Sequence, residues 1–273
     1  MIRTPQEREH TRATIASMSR KLMLSNRVVE LCESEATPRQ EEFLLKVLSE
    51  EIDRRERGRK ARLLNRAGFP TFKSFEDYDF SEIRFQPALS REELLRTDFI
   101  PEKKNLVLYG GVGTGKTHMA IALGIAACEK GLSVRFLTVT ELVLKLTEAY
   151  KQGTLERLIR DLKQLDLLIL DEWGYVPVDR EGSQLLFRII ADSYESKSLI
   201  LTTNLEFSKW GGIFTDEQMA AAMIDRLVHH GHLLLFEAKS YRMTHALMRQ
   251  PGPGKPKPKT LVEAGSRLEE GGA

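Results

Sequence analysis

The stretch Asn105-Leu-Val-Leu-Tyr-Gly-Gly-Val-Gly-Thr-Gly-Lys-Thr117 constrains this chain more than any other. Leu106 to Tyr109 have the character of a short buried strand bounded by glycine. The eight residues after it, Gly110, Gly111, Val112, Gly113, Thr114, Gly115, Lys116 and Thr117, fit the phosphate-binding pattern G-x-x-x-x-G-K-[ST]. Glycine lets the backbone turn tightly and aim successive N–H groups at one point. In such a loop the lysine sets a point charge at the β- and γ-phosphates, and the hydroxyl of Thr117 is a ligand for Mg²⁺. A helix expected from Thr117 to Lys130 directs its positive end at the same anion.

A length of 273 residues allows one ample core and a smaller accessory unit. With 41% hydrophobic and 29% charged residues the composition is that of a soluble globular protein. The net charge is only +2, so a nucleic-acid surface would have to be a local patch. Cys32 and Cys128 have no metal-like spacing and are expected as buried thiols in a reducing cytoplasm. Residues Met1 to His10 lack the apolar segment of a signal peptide, and no apolar run approaches membrane-spanning length, so a cytoplasmic protein is expected.

Along the chain, residues 11–66 have mostly helical character. Ile15, Met18, Leu22, Val29 and Leu31 make a rough apolar stripe that ends near residues 33–36. Thr37-Pro-Arg-Gln40 is a strong helix start, and Phe43, Leu44, Val47, Leu48 and Ile52 continue at helical spacing to about Asn65, with Gly68-Phe-Pro70 as the stop. The end of this helix carries Arg54, Arg55, Arg57, Arg59, Lys60, Arg62 and Arg66 against only Asp53 and Glu56. The run suits phosphate contacts on DNA or RNA; it equally suits a solvated helix end facing the negative pole of the dipole. Phe72, Phe75, Tyr78, Phe80 and Phe85 then concentrate in a short, mostly acidic stretch in which basic residues do not interleave closely, which fits anchors on a core surface better than base-stacking groups.

From Asn105 to Phe236 strands and helices alternate, the pattern of a parallel sheet covered by helices. Strands are expected at 106–109, 133–138, 167–170, 199–203 and 232–236, with two helices, about 140–152 and 154–164, between the second and third. The all-apolar third strand ends in Asp171-Glu172 at the carboxyl edge, where ligands of such sheets bind. There Asp171 suits the Mg²⁺ shell, and Glu172 suits polarising a water for attack on the γ-phosphate. If the fourth strand lies between the first and third, Asn204 falls beside the γ-phosphate and can orient that water. His229, His230 and His232 invite a metal reading, but adjacent helical residues point about 100° apart, so structural or phosphate-facing histidines fit better.

Taken together these motifs resemble an AAA+ ATPase, and more closely the IstB-like transposition helpers related to DnaC-type helicase loaders. The matching residues are Gly110 through His118, Asp171-Glu-Trp-Gly-Tyr-Val-Pro177, Thr202-Thr-Asn204, Phe207-Ser-Lys-Trp210, Asp225-Arg-Leu227 with His229-His230, and Ser240-Tyr-Arg242. The resemblance covers about residues 10–249. It implies a sheet order of 5-1-4-3-2, ATP with Mg²⁺ as cofactors, and the two intervening helices as the insertion of the initiator-like branch. It also implies that Arg226 is an arginine finger acting on ATP of a neighbouring subunit. The space after Arg242 is too short for the usual helical lid, and the Pro- and Lys-rich end is disordered by composition.

The expected organisation is an N-terminal helical domain, 1–68, for partner or DNA contact, a linker, 69–104, the ATPase domain, 105–249, and a tail, 250–273. The expected function is an ATP-dependent homo-oligomer that binds double-stranded DNA and assists a partner transposase. A helicase loader is the alternative, and a small-molecule kinase lacks an evident acceptor site. Arg54, Arg55, Arg59, Lys60 and Arg62 are the first candidates for DNA contact; Lys145, Lys151, Arg157 and Arg160 are the second.

Overall fold

The computed structural model describes residues 5–175, 179–214, 216–238 and 240–241. Expectations for Val176-Pro177, for Arg242, and for the lid and tail after it lie outside the described residues.

The chain begins with helices α1 (Pro5–Lys21), α2 (Asn26–Glu35) and α3 (Pro38–Ala67). The apolar stripe from Ile15 to Leu31 is divided between the first two helices: Met23 takes a φ of +59° and Ser25 is extended. Ser and Asn compete for backbone hydrogen bonds and favour helix starts over interiors, so Ser25-Asn26 restarts the helix instead of continuing it. The break lets Ile15 of α1 and Leu22 just past it meet Cys32 of α2 and Leu48 of α3 in a small core. Beside it Arg8 and Arg12 both donate to the buried carboxylate of Glu41, at 2.9 and 2.7 Å. Helix α3 starts as expected, Gln40 Oε1 accepting from the Thr37 N–H at 2.8 Å. It runs two residues past the expected end, to Ala67, where Gly68 closes it.

Strand β1 (Ile83–Arg84) and helix α4 (Arg91–Leu95) follow in the aromatic stretch. Phe75, Tyr78 and Phe80 pack on one another with centroid separations of 4.9–5.7 Å, and they and Phe85 join the core beneath. Phe72, expected among these anchors, is 70% exposed.

The central sheet contains β2 (Asn105–Gly110), β3 (Val134–Thr138), β4 (Leu167–Trp173), β5 (Ser198–Thr203) and β6 (Gly231–Phe236), with β1 at one edge. Its order is β1-β6-β2-β5-β4-β3. The five long strands are parallel and in the expected 5-1-4-3-2 order; β1 adds an antiparallel edge of two residues, too short to leave any periodicity in the sequence. One face is covered by α5 (Lys116–Glu129), the end of α3 and the aromatic stretch. The other is covered by α6 (Val139–Lys151), α7 (Leu155–Lys163), α8 (Arg180–Ser193) and α9 (Glu217–His229). Among the described residues no helix is long and apolar enough to cross a membrane.

At 30 residues, α3 is about 45 Å long, and it joins the N-terminal bundle to the sheet without a loop. Leu48 packs in the first; Leu63, Leu64 and Ala67 pack in the second. Between them Arg55 donates to the Leu22 carbonyl just past α1 (3.3 Å), and Arg59 to the Gly131 carbonyl just past α5 (3.1 Å). Leu22 follows directly on α1, so Arg55 serves a carbonyl that the helix end leaves without a partner, while Arg59 ties α3 to the turn after α5. Both cysteines are unpaired and buried, and burial pushes the Cys128 thiol up to about 11.

Helix α5 is pressed between layers at Gly124, where a Cβ would stand 2.7 Å from the Phe69 ring and 2.8 Å from Ile169 Cδ1. Gly124→Ala is therefore expected to destabilise the protein by about 1–3 kcal/mol despite alanine's better helix propensity. Urea unfolding would read this as a lower midpoint; a higher midpoint would mean that the two layers part freely.

Candidate nucleotide site

Strand β2 is buried from Asn105 to Leu108 because β5 and β6 flank it and helices cover both faces. It delivers Gly110–Gly115 to the carboxyl edge of the sheet, and α5 leaves from there. Gly115 caps that helix with φ +98°, and a Cβ on it would stand 2.9 Å from the Tyr78 hydroxyl. Glycine is the residue that takes this turn without strain. Thr114 Oγ1 donates to the Gly111 carbonyl at 2.9 Å and braces the loop. Val112 is exposed at its rim. The Lys116 side chain is buried, and its ammonium donates to the carbonyls of Gly110 (2.8 Å) and Gly111 (2.6 Å).

The second element is built differently from the expectation. The strand does not end at Leu170; β4 continues through Asp171 and Glu172 to the buried Trp173. Its register against β5 shifts between Leu170 and Trp173, the mark of a bulge. Glu172 sits at that bulge with φ +62°, a left-handed conformation that costs a non-glycine residue roughly 1–3 kcal/mol. As a result Asp171 is buried and Glu172 is exposed. Asp171 Oδ1 accepts from the Thr117 hydroxyl at 3.0 Å and also from the Thr202 hydroxyl of β5. Thr202 Oγ1 in turn accepts from the Glu172 N–H at 3.1 Å. One hydroxyl therefore holds both acidic residues.

Because β5 lies between β2 and β4, Asn204 emerges at the same edge, between the loop and the acidic pair, and is exposed. Thr203 Oγ1 donates to the Trp173 carbonyl (2.9 Å) and accepts from the Leu205 N–H (3.0 Å), which pins the turn that carries Asn204. Trp210 donates to the Leu205 carbonyl at 3.1 Å and packs on Trp173 at 5.0 Å between centroids. Sequence reasoning assigned no role to Thr202, Thr203, Trp173 or Trp210; two hydroxyls closing an otherwise apolar strand were the available signal.

The aromatic stretch reaches the site as well. Tyr78 donates to the Gly115 carbonyl at 3.2 Å, and its burial raises the phenol above its ordinary range. His118 lies 2.7 Å from the Ser74 carbonyl through Nε2 and packs on Tyr78.

Arg226 does not join this cluster. It is half-buried near the end of α9, donating to the Ala222 carbonyl at 2.8 Å with its guanidinium over Phe187 at 5.3 Å. That helix returns the chain to Gly231, which pairs with Asn105 at the opposite edge of the sheet from the loop. Nearby, Tyr194 meets His229 at 3.0 Å and Glu195 meets His230 at 2.8 Å, while His232 is buried on β6, which lowers its pKa. The basic candidates also divide. Arg54, Lys60 and Arg62 are exposed on α3, whereas Arg55 and Arg59 hold helix ends; Lys145, Lys151, Arg157 and Arg160 are exposed on α6 and α7.

The family model described as "IstB-like ATP binding protein" matches residues 20–248. The chain belongs to this family. It is 40% identical over 206 residues to the ATP-binding protein of insertion sequence IS21 from Pseudomonas aeruginosa, covering 74% of this chain and 76% of that one. To the ATP-binding protein of insertion sequence IS232 from Bacillus thuringiensis subsp. berliner it is 36% identical over 205 residues, covering 74% and 81%. Among solved structures, the DnaC helicase loader is similar over 64% of this chain and 98% of its own, with 22% identity and a TM-score of 0.45. The family is one of ATP-binding proteins, and the loop from Gly110 to Thr117 is the part of this chain that fits that ligand.

Thr202→Val keeps the shape of the strand but removes the hydroxyl shared by Asp171 and the Glu172 N–H. Leaving such buried groups short of a partner costs about 1–3 kcal/mol. The variant is expected to melt lower and to turn over ATP more slowly at saturating ATP. Unchanged turnover would show that the bulge orients Glu172 without this bond.

Proposed function

We propose that this protein is an ATP-dependent, DNA-binding oligomer that assists a partner transposase in DNA transposition, with ATP hydrolysis controlling its assembly on duplex DNA. The observation that carries the reading is the meeting of Lys116, Asp171, Glu172 and Asn204 at one sheet edge, in a chain whose relatives include ATP-binding proteins of insertion sequences. Residues Gly110 to His118 hold the nucleotide, the loop N–H groups and Lys116 taking the phosphates. Thr117 and Asp171 would hold Mg²⁺: the Thr117 hydroxyl donates to Asp171 Oδ1 at 3.0 Å, and a hydroxyl with a carboxylate is a donor set that suits this hard cation. When bound, the ion neutralises charge on the phosphate chain.

Glu172 accepts the proton of a water as its oxygen attacks the γ-phosphorus and the bond to ADP breaks. A general base of this kind contributes roughly 10²- to 10⁴-fold in rate. Asn204 holds the water in line. Arg226 completes the site of a neighbouring subunit, since its helix leads away from its own loop. In this scheme residues 1–68 contact the partner or DNA, 69–104 bind them to the ATPase domain, 105–249, and 250–273 form a tail.

The reading is tested by measuring the protein's size with duplex DNA plus ATP, plus ADP and without nucleotide. Growth on duplex only with ATP is expected. Assembly only on single strands or on a helicase would point to a helicase loader, and no assembly at all would overturn the proposal. Within that experiment, neutralising Arg54, Lys60 and Arg62 is expected to weaken binding to all duplexes alike and to flatten the salt dependence by about 0.9 unit of slope per lost contact. Wild-type affinity and slope would move the surface to Lys145, Lys151, Arg157 and Arg160.

Arginine fingers contribute roughly 10³- to 10⁵-fold in related phosphoryl chemistry, so an isolated subunit should be a poor ATPase. Mixing Arg226→Ala with Lys116→Ala is expected to restore some activity that neither variant has alone, because a mixed interface pairs an intact loop with an intact arginine. A mixture that assembles but stays inactive, or full activity of Arg226→Ala alone, would mean that Arg226 does not act between subunits.

A further inference from the structure

After β6 the chain crosses the top of the sheet. The Glu237 N–H donates to the Glu82 carbonyl at 3.0 Å, and the chain then reaches the apex of the phosphate loop with Ser240 and Tyr241. There the Tyr241 N–H donates to the Gly113 carbonyl at 3.0 Å. Ser240 lies flat against the same glycine: a Cβ built on Gly113 would overlap the Ser240 hydroxyl and stand 3.3 Å from its Cβ. Gly113 has φ +78°, so both its conformation and its neighbour exclude a side chain.

This contact has a directional consequence. The peptide bonds here are trans, and in a trans peptide the carbonyl and the following N–H point to opposite sides. Tyr241 draws the Gly113 carbonyl towards the segment after β6, which turns the Thr114 N–H the other way. Among the described residues that N–H has no backbone partner, while the Thr114 hydroxyl is occupied by Gly111. A phosphate loop works by aiming such N–H groups at one point, and one peptide plane turned over would replace a donor by a carbonyl oxygen facing an anion.

We propose that Ser240–Tyr241 is a positioning strap for the phosphate loop: the Tyr241 N–H fixes the Gly113–Thr114 peptide plane so that the Thr114 N–H faces the nucleotide's phosphate chain. The assignment rests on reading Gly110–Thr117 as the ATP loop. It gives Ser240-Tyr241, within the Ser240-Tyr-Arg242 motif, a role that does not involve the arginine. It also makes the loop's donor set depend on the chain that follows β6, so that a pull on that segment is felt at the phosphates.

The test replaces Tyr241 in the full-length protein by its α-hydroxy acid analogue, which turns the N–H into an ester oxygen and keeps the side chain. Losing one net hydrogen bond is expected to weaken both ATP and ADP by roughly 2- to 12-fold. The nucleotide-free variant lacks the same bond, so its melting temperature is expected to fall slightly while the fold is kept. Tyr241→Ala, which keeps the N–H, is expected to bind like wild type. Wild-type affinity in the ester variant overturns the proposal, and so does an equal loss of affinity in Tyr241→Ala, since the backbone N–H would then not be what positions the loop. Failure of the underlying loop reading looks different: wild type and Lys116→Ala would then bind ATP equally.

Discussion

The site depends on one buried carboxylate. Asp171 is 5% exposed, and its Oδ1 receives hydroxyls from two elements far apart in sequence, Thr117 at the start of α5 and Thr202 near the end of β5. A carboxylate taken out of water is costly without such donors, so the two threonines and the strand that bears Asp171 must stay in register together. The same Thr202 oxygen accepts from the Glu172 N–H and holds that residue in its left-handed conformation. Strain at Glu172 persists because the bulge, the Thr202 bond and the burial of Asp171 and Trp173 on either side over-determine it.

That arrangement requires β5 to be the neighbour of both β2 and β4, and the sheet is built so that it can be. Leu199, Ile200 and Leu201 are essentially inaccessible, and alternate residues face the two cores: Leu199 and Leu201 meet α6 to α9, Ile200 meets the face covered by α5. A parallel strand buried on both sides tolerates no polar residue until it reaches the edge, which is why Thr202, Thr203 and Asn204 cluster there. Their hydroxyls then take structural work that elsewhere would fall to backbone ladder bonds.

Helix α3 ties this site to the N-terminal bundle by a different logic. It carries apolar residues for two separate cores and uses Arg55 and Arg59 in the gap between them, each on a carbonyl at the end of another helix. The helix end held by Arg59 belongs to α5, whose first residues are Lys116 and Thr117. Ten of the fourteen residues of α5 are buried, and Gly124 sits close against Phe69 and Ile169. The bundle, the back of α5 and the phosphate loop are therefore joined by helices and packed side chains, with no flexible loop between them.

Local chemistry in the sequence was enough to determine the phosphate loop, the acidic and polar strand ends, the start of α3 at Thr37-Pro38 and the alternation of strands and helices. Each rests on residues close together in the chain: glycines that permit a turn, a cap that meets its own helix, an apolar run that must be covered. The resemblance of the motifs supplied the strand order. Only the tertiary structure decided the rest, because those features depend on partners far apart in sequence. The bulge at Glu172 exists because Trp173 pairs with Thr203. Tyr78 and Ser240–Tyr241 bear on the loop from segments 37 residues before and about 130 after it. Arg55 and Arg59 looked like any other members of a basic run until the ends of α1 and α5 came within hydrogen-bonding reach. A side chain's type is written in the sequence; the group that it meets across the fold is set by how the layers pack.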